Sequence, residues 1–327
     1  MKFGFQVWND AAPWQTLKEI ALVADRGRWN SLWNFDHLMP VNDAFMPQIT
    51  NDPAAYERGD TLEGWTMLAS WAALTCRIRL GCLVTAMPFR HPALLAKMAA
   101  TVDQVAGGRL DLGVGAAWHE REHAAYGIEL GSIKTRLDRF EEGLAILQGL
   151  LHGQVGGSFT FNGSFYRMDH APFAPLPVQN KLPILVGGSG EKRTLKLVAR
   201  YADASNMFGN FLATRADYVR KNRLIDQYCQ EIGRDPAEVR RTVGLFAGLE
   251  KDDRKAREKT AFFGKSLPPG VDGNLLFGSA QRIVDGVGAF AGQADEVIFF
   301  GLDATPEAVQ AFDDEVLKPL ASVPVAV

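Results

Sequence analysis

The chain has 327 residues, 47% hydrophobic and 22% charged, and its 35 Lys and Arg against 38 Asp and Glu leave a net charge of −3 with a pI near 6.1. That balance gives a soluble globular protein ample core and argues against a general nucleic-acid or anionic-membrane binder, so any anionic ligand must be held by local groups. Cys76, Cys82 and Cys229, with no CxxC spacing, fit a reducing compartment. With no signal-like leader and no run of membrane-spanning length, the sequence predicts a cytoplasmic protein.

In chain order, Lys2 to Trp8 alternates as a first strand, and a helix over Trp14 to Asp25 carries Leu17, Ile20, Ala21 and Ala24 on one face before Gly27 ends it. Ser31 to His37 predicts a second strand with an unusually polar end. The stretch Leu38 to Asp60, with Pro40, Pro47 and Pro53, is longer than a connector needs and reads as an active-site cover. There follow a helix over Thr61 to Thr75, a strand over Arg77 to Thr85, and a helix with Leu94, Leu95, Met98, Val102 and Val105 inward, closed by Gly107 and Gly108. The fourth strand, Arg109 to Gly115, runs into Ala-Ala-Trp-His-Glu-Arg-Glu-His, and a helix over Lys134 to Leu151 carries Leu137, Phe140, Leu144 and Leu147. Between about 152 and 181 the pattern changes to a hairpin with an Asn162-Gly163 turn, inserted before the fifth strand.

That strand, Ile184 to Val186, is short and uninterrupted, as for a parallel strand buried on both faces. Gly187, Gly188 and Gly190 allow a tight turn, Ser189 is the expected N-cap, and Leu195, Val198, Ala199 and Ala202 recur at helical spacing. Lys192 and Arg193 fall in the first turn, where cations oppose the helix dipole by about 0.3 to 1 kcal/mol each unless an anion neutralises them. Glycine amides, a helix N-terminus and two cations together predict a phosphate site. Asp203 to Met207 is a sixth strand, Thr214 to Ile232 a helix, and Arg241 to Leu249 a seventh strand. The interval 250–278, charged and then rich in Pro and Gly, predicts a mobile segment. Ser279 caps a helix to Phe290, Asp295 to Leu302 is an eighth strand, and Thr305-Pro306 opens the last helix. Eight strands alternating with helices, with no compositional break, predict a single (β/α)8 TIM barrel over 1–327. In such barrels chemistry sits at the strand carboxyl ends. That rule selects Trp8, Asp36, His37, Thr85, Gly115 to His119, Gly187 to Ser189, Asn206 to Phe208 and Phe299 to Leu302.

With these ends in view, the chain resembles the luciferase-like monooxygenase superfamily, and within it the oxidoreductases that use the deazaflavin coenzyme F420. The resemblance rests on Trp-Asn-Phe-Asp-His at 33–37, Arg-Ile-Arg-Leu-Gly-Cys-Leu-Val-Thr at 77–85, Arg-His-Pro-Ala-Leu-Leu-Ala-Lys at 90–97, Gly-Gly-Arg-Leu-Asp-Leu-Gly-Val-Gly-Ala-Ala-Trp at 107–118 and Gly-Gly-Ser-Gly-Glu-Lys-Arg-Thr at 187–194. It implies a flavin-like ring across the barrel mouth, its phosphate near Gly187 to Thr194, and a non-prolyl cis peptide at about Leu83-Val84. It also implies cofactor contacts from Asp36, Leu83, Val84, Thr85 and Gly115, Ala116, Ala117 and Trp118, with His37 and Asp36 as the catalytic pair. His37 is the chosen proton donor or acceptor, because imidazole suits either role near neutrality. Trp8, Met87, Phe89, Trp118 and Phe208 are candidates for an apolar substrate pocket. Family members that oxidise a sugar phosphate carry a polar group where this chain has Ala117-Trp118, which implies a more hydrophobic small-molecule substrate. Members are often dimers, so a homodimer is expected.

The ring chemistry divides the alternatives. A deazaflavin is confined largely to hydride transfer, whereas FMN, which members of the same fold use, permits oxygen insertion; the turn at 187–194 resembles the deazaflavin branch. His119-Glu120-Arg121-Glu122-His123 matches H-E-x-x-H, which would make a zinc hydrolase of His119, Glu120 and His123, but Gly127 interrupts the segment and no metal is expected. A carrier that keeps the barrel without its chemistry is a further reading. His91 before Pro92 reads as an N-cap, and Asp103 and Glu120 as solvated or capping charges.

Overall fold

A computed structural model describes residues 1–40, 58–207, 214–264 and 275–322. Eight parallel strands close on themselves: β1 (Lys2–Gln6), β2 (Ser31–Asn34), β3 (Arg79–Cys82), β4 (Leu110–Gly115), β5 (Ile184–Gly187), β6 (Ala204–Asn206), β7 (Arg240–Leu249) and β8 (Glu296–Phe300), with β8 pairing back to β1. The wall is α1 (Trp14–Arg26), α2 (Gly64–Leu74), α3 (Pro92–Ala106), the short α4 (Glu120–Ala125), α5 (Ile133–Leu151), α6 (Thr194–Tyr201), α7 (Arg215–Glu231), α8 (Asp253–Gly264), α9 (Ala280–Gly288) and α10 (Pro306–Phe312). The predicted barrel is therefore the observed one, with most strands one to three residues shorter at their carboxyl ends than periodicity suggests.

Caps follow the sequence closely. Ser279 and Thr305 accept the N–H groups of Arg282 and Ala308, the His91 ring accepts that of Ala93, and Gly107 closes α3 in the left-handed region at φ 61°. The inward face of α3 differs from expectation. Leu95 and Val102 are buried, but with Ala96, Ala99, Ala100 and Asp103, while Leu94 and Val105 are 54% and 49% exposed. A face of alanines brings this helix close to the sheet, and the bulkier side chains fall outside it.

Asp103 is likewise not solvated. It is fully buried and accepts the backbone N–H groups of Leu110, Val178 and Gln179, tying the chain's return from the insertion to the start of β4. The insertion is an antiparallel hairpin, Ser158–Asn162 with Arg167–Pro172. Its connection is the four residues after Asn162, not a two-residue Asn-Gly turn, because the Glu142 carboxylate on α5 accepts the N–H groups of Ser164, Phe165 and Tyr166 at 2.7, 2.9 and 3.1 Å. The interval 250–278, predicted mobile, contains α8 and the strand Leu275–Gly278, which pairs with the end of β7; its residues 265–274 lie outside the described ones, as do 41–57 of the predicted cover.

The strand starts meet in a buried polar floor. Asp111 accepts from Arg79 Nε at 2.8 Å and from Arg240 Nη2 at 3.2 Å, Arg240 Nε lies 3.7 Å from Glu296, and Glu296 is hydrogen-bonded by the Ser31 hydroxyl. One chain of charges thus joins β2, β3, β4, β7 and β8 beneath the core. Replacing Asp111 by Ala strands two guanidinium groups. We expect a loss of about 3 kcal/mol in urea unfolding, the low end for breaking a buried pair because both arginines keep some access to water.

Candidate active site

The site lies at the opposite, carboxyl-terminal end of the strands. There the chain leaves β3 through a cis peptide between Leu83 and Val84, as the resemblance implies. Gln6 of β1 holds it: its Nε2 donates to Leu83 O at 2.5 Å and Asn34 O at 3.2 Å, while its Oε1 accepts from Trp8 Nε1 at 2.8 Å. The half-buried Val84 side chain is seated on two glycines of neighbouring strands. A Cβ on Gly115 would come within 2.7 Å of one Val84 methyl, and one on Gly187 within 2.8 Å of the other. Both glycines therefore make room for the bulge rather than for a ligand. Thr85, buried, accepts from Trp65 Nε1 at 2.9 Å and so faces the wall.

The polar end of β2 separates into a support and a working group. Asp36 is buried, and both its oxygens are taken by the Arg90 guanidinium, which also reaches Glu63 at 3.1 Å. Burial pushes the Asp36 carboxyl up and the fork of Arg90 works against it. Asp36 is thus a buried post held by Arg90, whereas the resemblance implied a catalytic partner for His37 there. His37 instead meets Glu122: His37 Nδ1 lies 2.8 Å from Glu122 Oε2, and Leu38 N–H donates to Glu122 Oε1 at 2.5 Å. Around the imidazole stand Phe35, Trp118 and His119, with ring centroids at 5.2, 5.9 and 6.0 Å.

After β4 the backbone passes half-buried Ala116 and turns at Ala117, whose φ of 66° is in the left-handed region that a side chain disfavours, and Ala117 O accepts from Arg136 Nη1 at 2.9 Å. The kink presents Trp118, 57% exposed, beside His37. The rest of the predicted apolar pocket divides. Trp8 packs on Phe35 and so belongs to the same aromatic row. Met87 is buried against Gly143 of α5, and Phe89 lies on His123, 5.1 Å between centroids, so neither joins Trp118; Phe208 lies outside the described residues. The H-E-x-x-H trio is not assembled either. His123 Nδ1 bonds Ile128 O at 3.1 Å and Glu120 is exposed, whereas the residues that converge are His37, His119 and Glu122.

The turn after β5 keeps its glycines but not its predicted cap. Gly188 has φ 126°, and a Cβ on Gly190 would come within 2.9 Å of Thr194 Oγ1. The helix begins at Thr194 with Arg193 at the N-cap, so Ser189, buried within the glycine turn, lies four residues short of the cap position. Lys192 is exposed; Arg193 is drawn to α5, at 2.6 Å from Asp138 and 3.3 Å from Glu141. Glycine-rich backbone, the start of an eight-residue helix and Lys192 remain together, although Gly188 N–H is taken by Asn206 O and Leu195 N–H by Gly190 O, both at 3.0 Å.

The family profile described as luciferase-like monooxygenase matches residues 1–306. The chain belongs to the luciferase-like monooxygenase family. It is 35% identical over 144 residues to an uncharacterised protein of Mycobacterium tuberculosis, covering 44% of this chain and 49% of that one. It is 30% identical over 200 residues to pyrimidine monooxygenase RutA of Caulobacter vibrioides, covering 61% and 54%. The matched segments thus span about half the length of these curated relatives. In fold it is similar to an F420-dependent secondary alcohol dehydrogenase (TM-score 0.81, 17% identity, 97% of this chain and 98% of that one) and to monooxygenase RslO1 of Streptomyces bottropensis (0.76, 20%, 98% and 100%). The family is one of luciferase-like monooxygenases, and the coarse assignment is to an enzyme of that oxidoreductase class. No helix among the described residues is long and apolar enough to cross a membrane.

Two residues of the mouth escaped the sequence reading. Glu122 was hidden inside the apparent zinc pattern, its one signal being a position one turn beyond His119. Asp10, past the end of β1, is 4% exposed, and burial pushes its carboxyl up to about 7 while a hydrogen bond to backbone lowers it. The folded state therefore holds a proton that the unfolded chain releases near the ordinary value of 3.8. Stability from this group is complete below that value and lost as pH rises through about 7. Urea unfolding of Asp10→Asn across that window should show a shallower fall than the parent.

The glycine seat makes a second prediction. Gly115→Ala should cost about 1 to 3 kcal/mol by overpacking Val84, and Val84→Ala in the same chain should recover much of it. Thermal unfolding of the two single variants and the double variant would expose the coupling; strict additivity would mean the two residues do not compete for the same space.

Proposed function

We propose that this luciferase-like protein is an oxidoreductase of coenzyme F420 that passes a hydride between the deazaflavin ring and a small, largely apolar organic molecule. The observation that carries the reading is the pairing, on adjacent strands β2 and β3, of an oriented histidine with a braced backbone bulge: His37 on Glu122, and Leu83-Val84 on Gln6 and its glycines. The residues present fit such a group. Val84 offers a firm, half-buried apolar surface at the mouth, and the turn at 187–194 offers amides, a helix N-terminus and Lys192 to a phosphate. When bound, a deazaflavin supplies a carbon centre that gives or accepts hydride.

The chain's own residues do the rest. His37 takes or returns a proton at Nε2, the ring edge not bonded to Glu122. Trp118 provides an exposed apolar wall beside it, which favours a hydrophobic substrate over a sugar phosphate. Arg193 joins the anion site by leaving Asp138 and Glu141, a half-buried pairing that water and salt still reach in part. A second reading, an FMN-dependent monooxygenase, is favoured by the match to pyrimidine monooxygenase RutA.

Titration of purified protein with each coenzyme, followed by tryptophan fluorescence, separates the two. We expect F420 to bind at least tenfold more tightly than FMN. Lys192→Ala and Arg193→Ala should each weaken F420 about tenfold, the size of one charge-assisted hydrogen bond. Tight FMN binding without F420 binding would establish the monooxygenase reading, and binding of neither would remove both. In the F420-loaded enzyme, His37→Ala should lower turnover roughly 100- to 10,000-fold with coenzyme affinity kept.

A further inference from the structure

Glu122 is 1% exposed, an unusual place for a carboxylate, and both of its oxygens are engaged. Oε1 receives the N–H of Leu38, a group that can only donate. Oε2 faces His37 Nδ1 at 2.8 Å, and a carboxylate has no proton to offer, so the proton of that bond must sit on the imidazole. From this geometry we infer that Glu122 is a positioning residue, which fixes His37 as the Nδ1–H tautomer and reserves Nε2 for proton exchange with a ligand. The inference rests on the proton-handling role of His37 proposed above.

Three features make the arrangement more than an incidental contact. Burial would push the Glu122 carboxyl up, yet the hydrogen bond and charge of His37, the Leu38 amide and the charge of His119 outweigh it and leave it below the usual range, so it stays ionised. Phe35 and Trp118 meet the His37 ring at 70° and 76°, which restrains the plane of the imidazole while Glu122 restrains its rotation within that plane. His119 is the competitor. Its buried Nδ1 has no hydrogen-bond partner among the described residues and lies 3.6 Å from the same Oε2, beyond bonding distance. Burial also pushes the His119 ring below its ordinary pKa, against the pull of Glu122. The carboxylate charge is therefore directed to His37.

The substitution Glu122→Gln is diagnostic because of Leu38. Its N–H still requires an oxygen, so the new amide must turn its oxygen to Leu38 and its NH2 to His37. Nδ1 then has to accept, and the ring proton must move to Nε2, leaving no lone pair for the ligand side. Shape and the Leu38 bond are retained.

The test is a two-bond 1H–15N spectrum of histidine-labelled, coenzyme-free protein at about pH 9, well above the ordinary pKa of imidazole. The chain has six histidines, and the His37 signals are assigned by their absence in His37→Asn. We expect Nδ1 to carry the proton in the parent and Nε2 in Glu122→Gln, while Glu120→Gln, altered at an exposed neighbour, matches the parent. In the F420-loaded enzyme kcat of Glu122→Gln should fall roughly 100-fold or more, with KM and coenzyme affinity changed less than about threefold. A parent His37 protonated at Nε2, or a tautomer indifferent to Glu122→Gln, would overturn the inference. The parent spectrum decides the first point even if the variant does not fold. Because the spectra need no coenzyme, their outcome is independent of whether F420, FMN or neither binds.

Discussion

The mouth of this barrel depends on how Val84 is seated. Because the backbone reverses locally at Leu83-Val84, one carbonyl and one branched side chain leave the regular path of β3, and each needs a partner that ordinary strands do not supply. Gln6 supplies the first from β1, bridging to Trp8 and to the end of β2 with the same amide. Gly115 and Gly187 supply the second by having no side chain where Val84 must go. Three strands are thereby committed to one bulge. The precision of the site is borrowed from the closed sheet and not from the loops above it, the condition under which a binding surface keeps its shape before a ligand arrives.

Around that bulge the polar residues follow a division of labour. Arg90 holds Asp36 and Glu63 behind the wall, and Glu122 holds His37 in front of it. Each of the two residues at the end of β2 is thus anchored by a group far away in sequence, one on the segment leading to α3 and one on α4. The family's oxidoreductase chemistry needs such a surface, and the proposed deazaflavin reading adds a single proton-handling group to it.

Much of this was legible in the sequence. The barrel, the caps at Ser279 and Thr305 and the place of His37 follow from local signals (alternation, Gly and Pro punctuation and strand-end position), while the cis position follows from the family resemblance. What was misread depends on partners far along the chain. Asp36 looked catalytic because nothing near it announces Arg90, and Asp103 looked solvated because its four donors come from 110, 178 and 179. Gly115 looked like a ligand contact because Val84 lies thirty-one positions away. The apparent zinc motif misled for a related reason: it describes ligands on one face of a regular helix, while α4 has only six residues and leaves His119 outside as its N-cap.

The hairpin between α5 and β5 is fastened by Glu142 at its tip and by Asp103 where the chain returns to the barrel. Both fastenings belong to wall helices, and neither touches the row of rings about His37. The exposed tip of the appendage can accordingly vary without meeting that row, whereas Phe159, Phe161, Tyr166 and Met168, packed on the core, seat the hairpin against the wall.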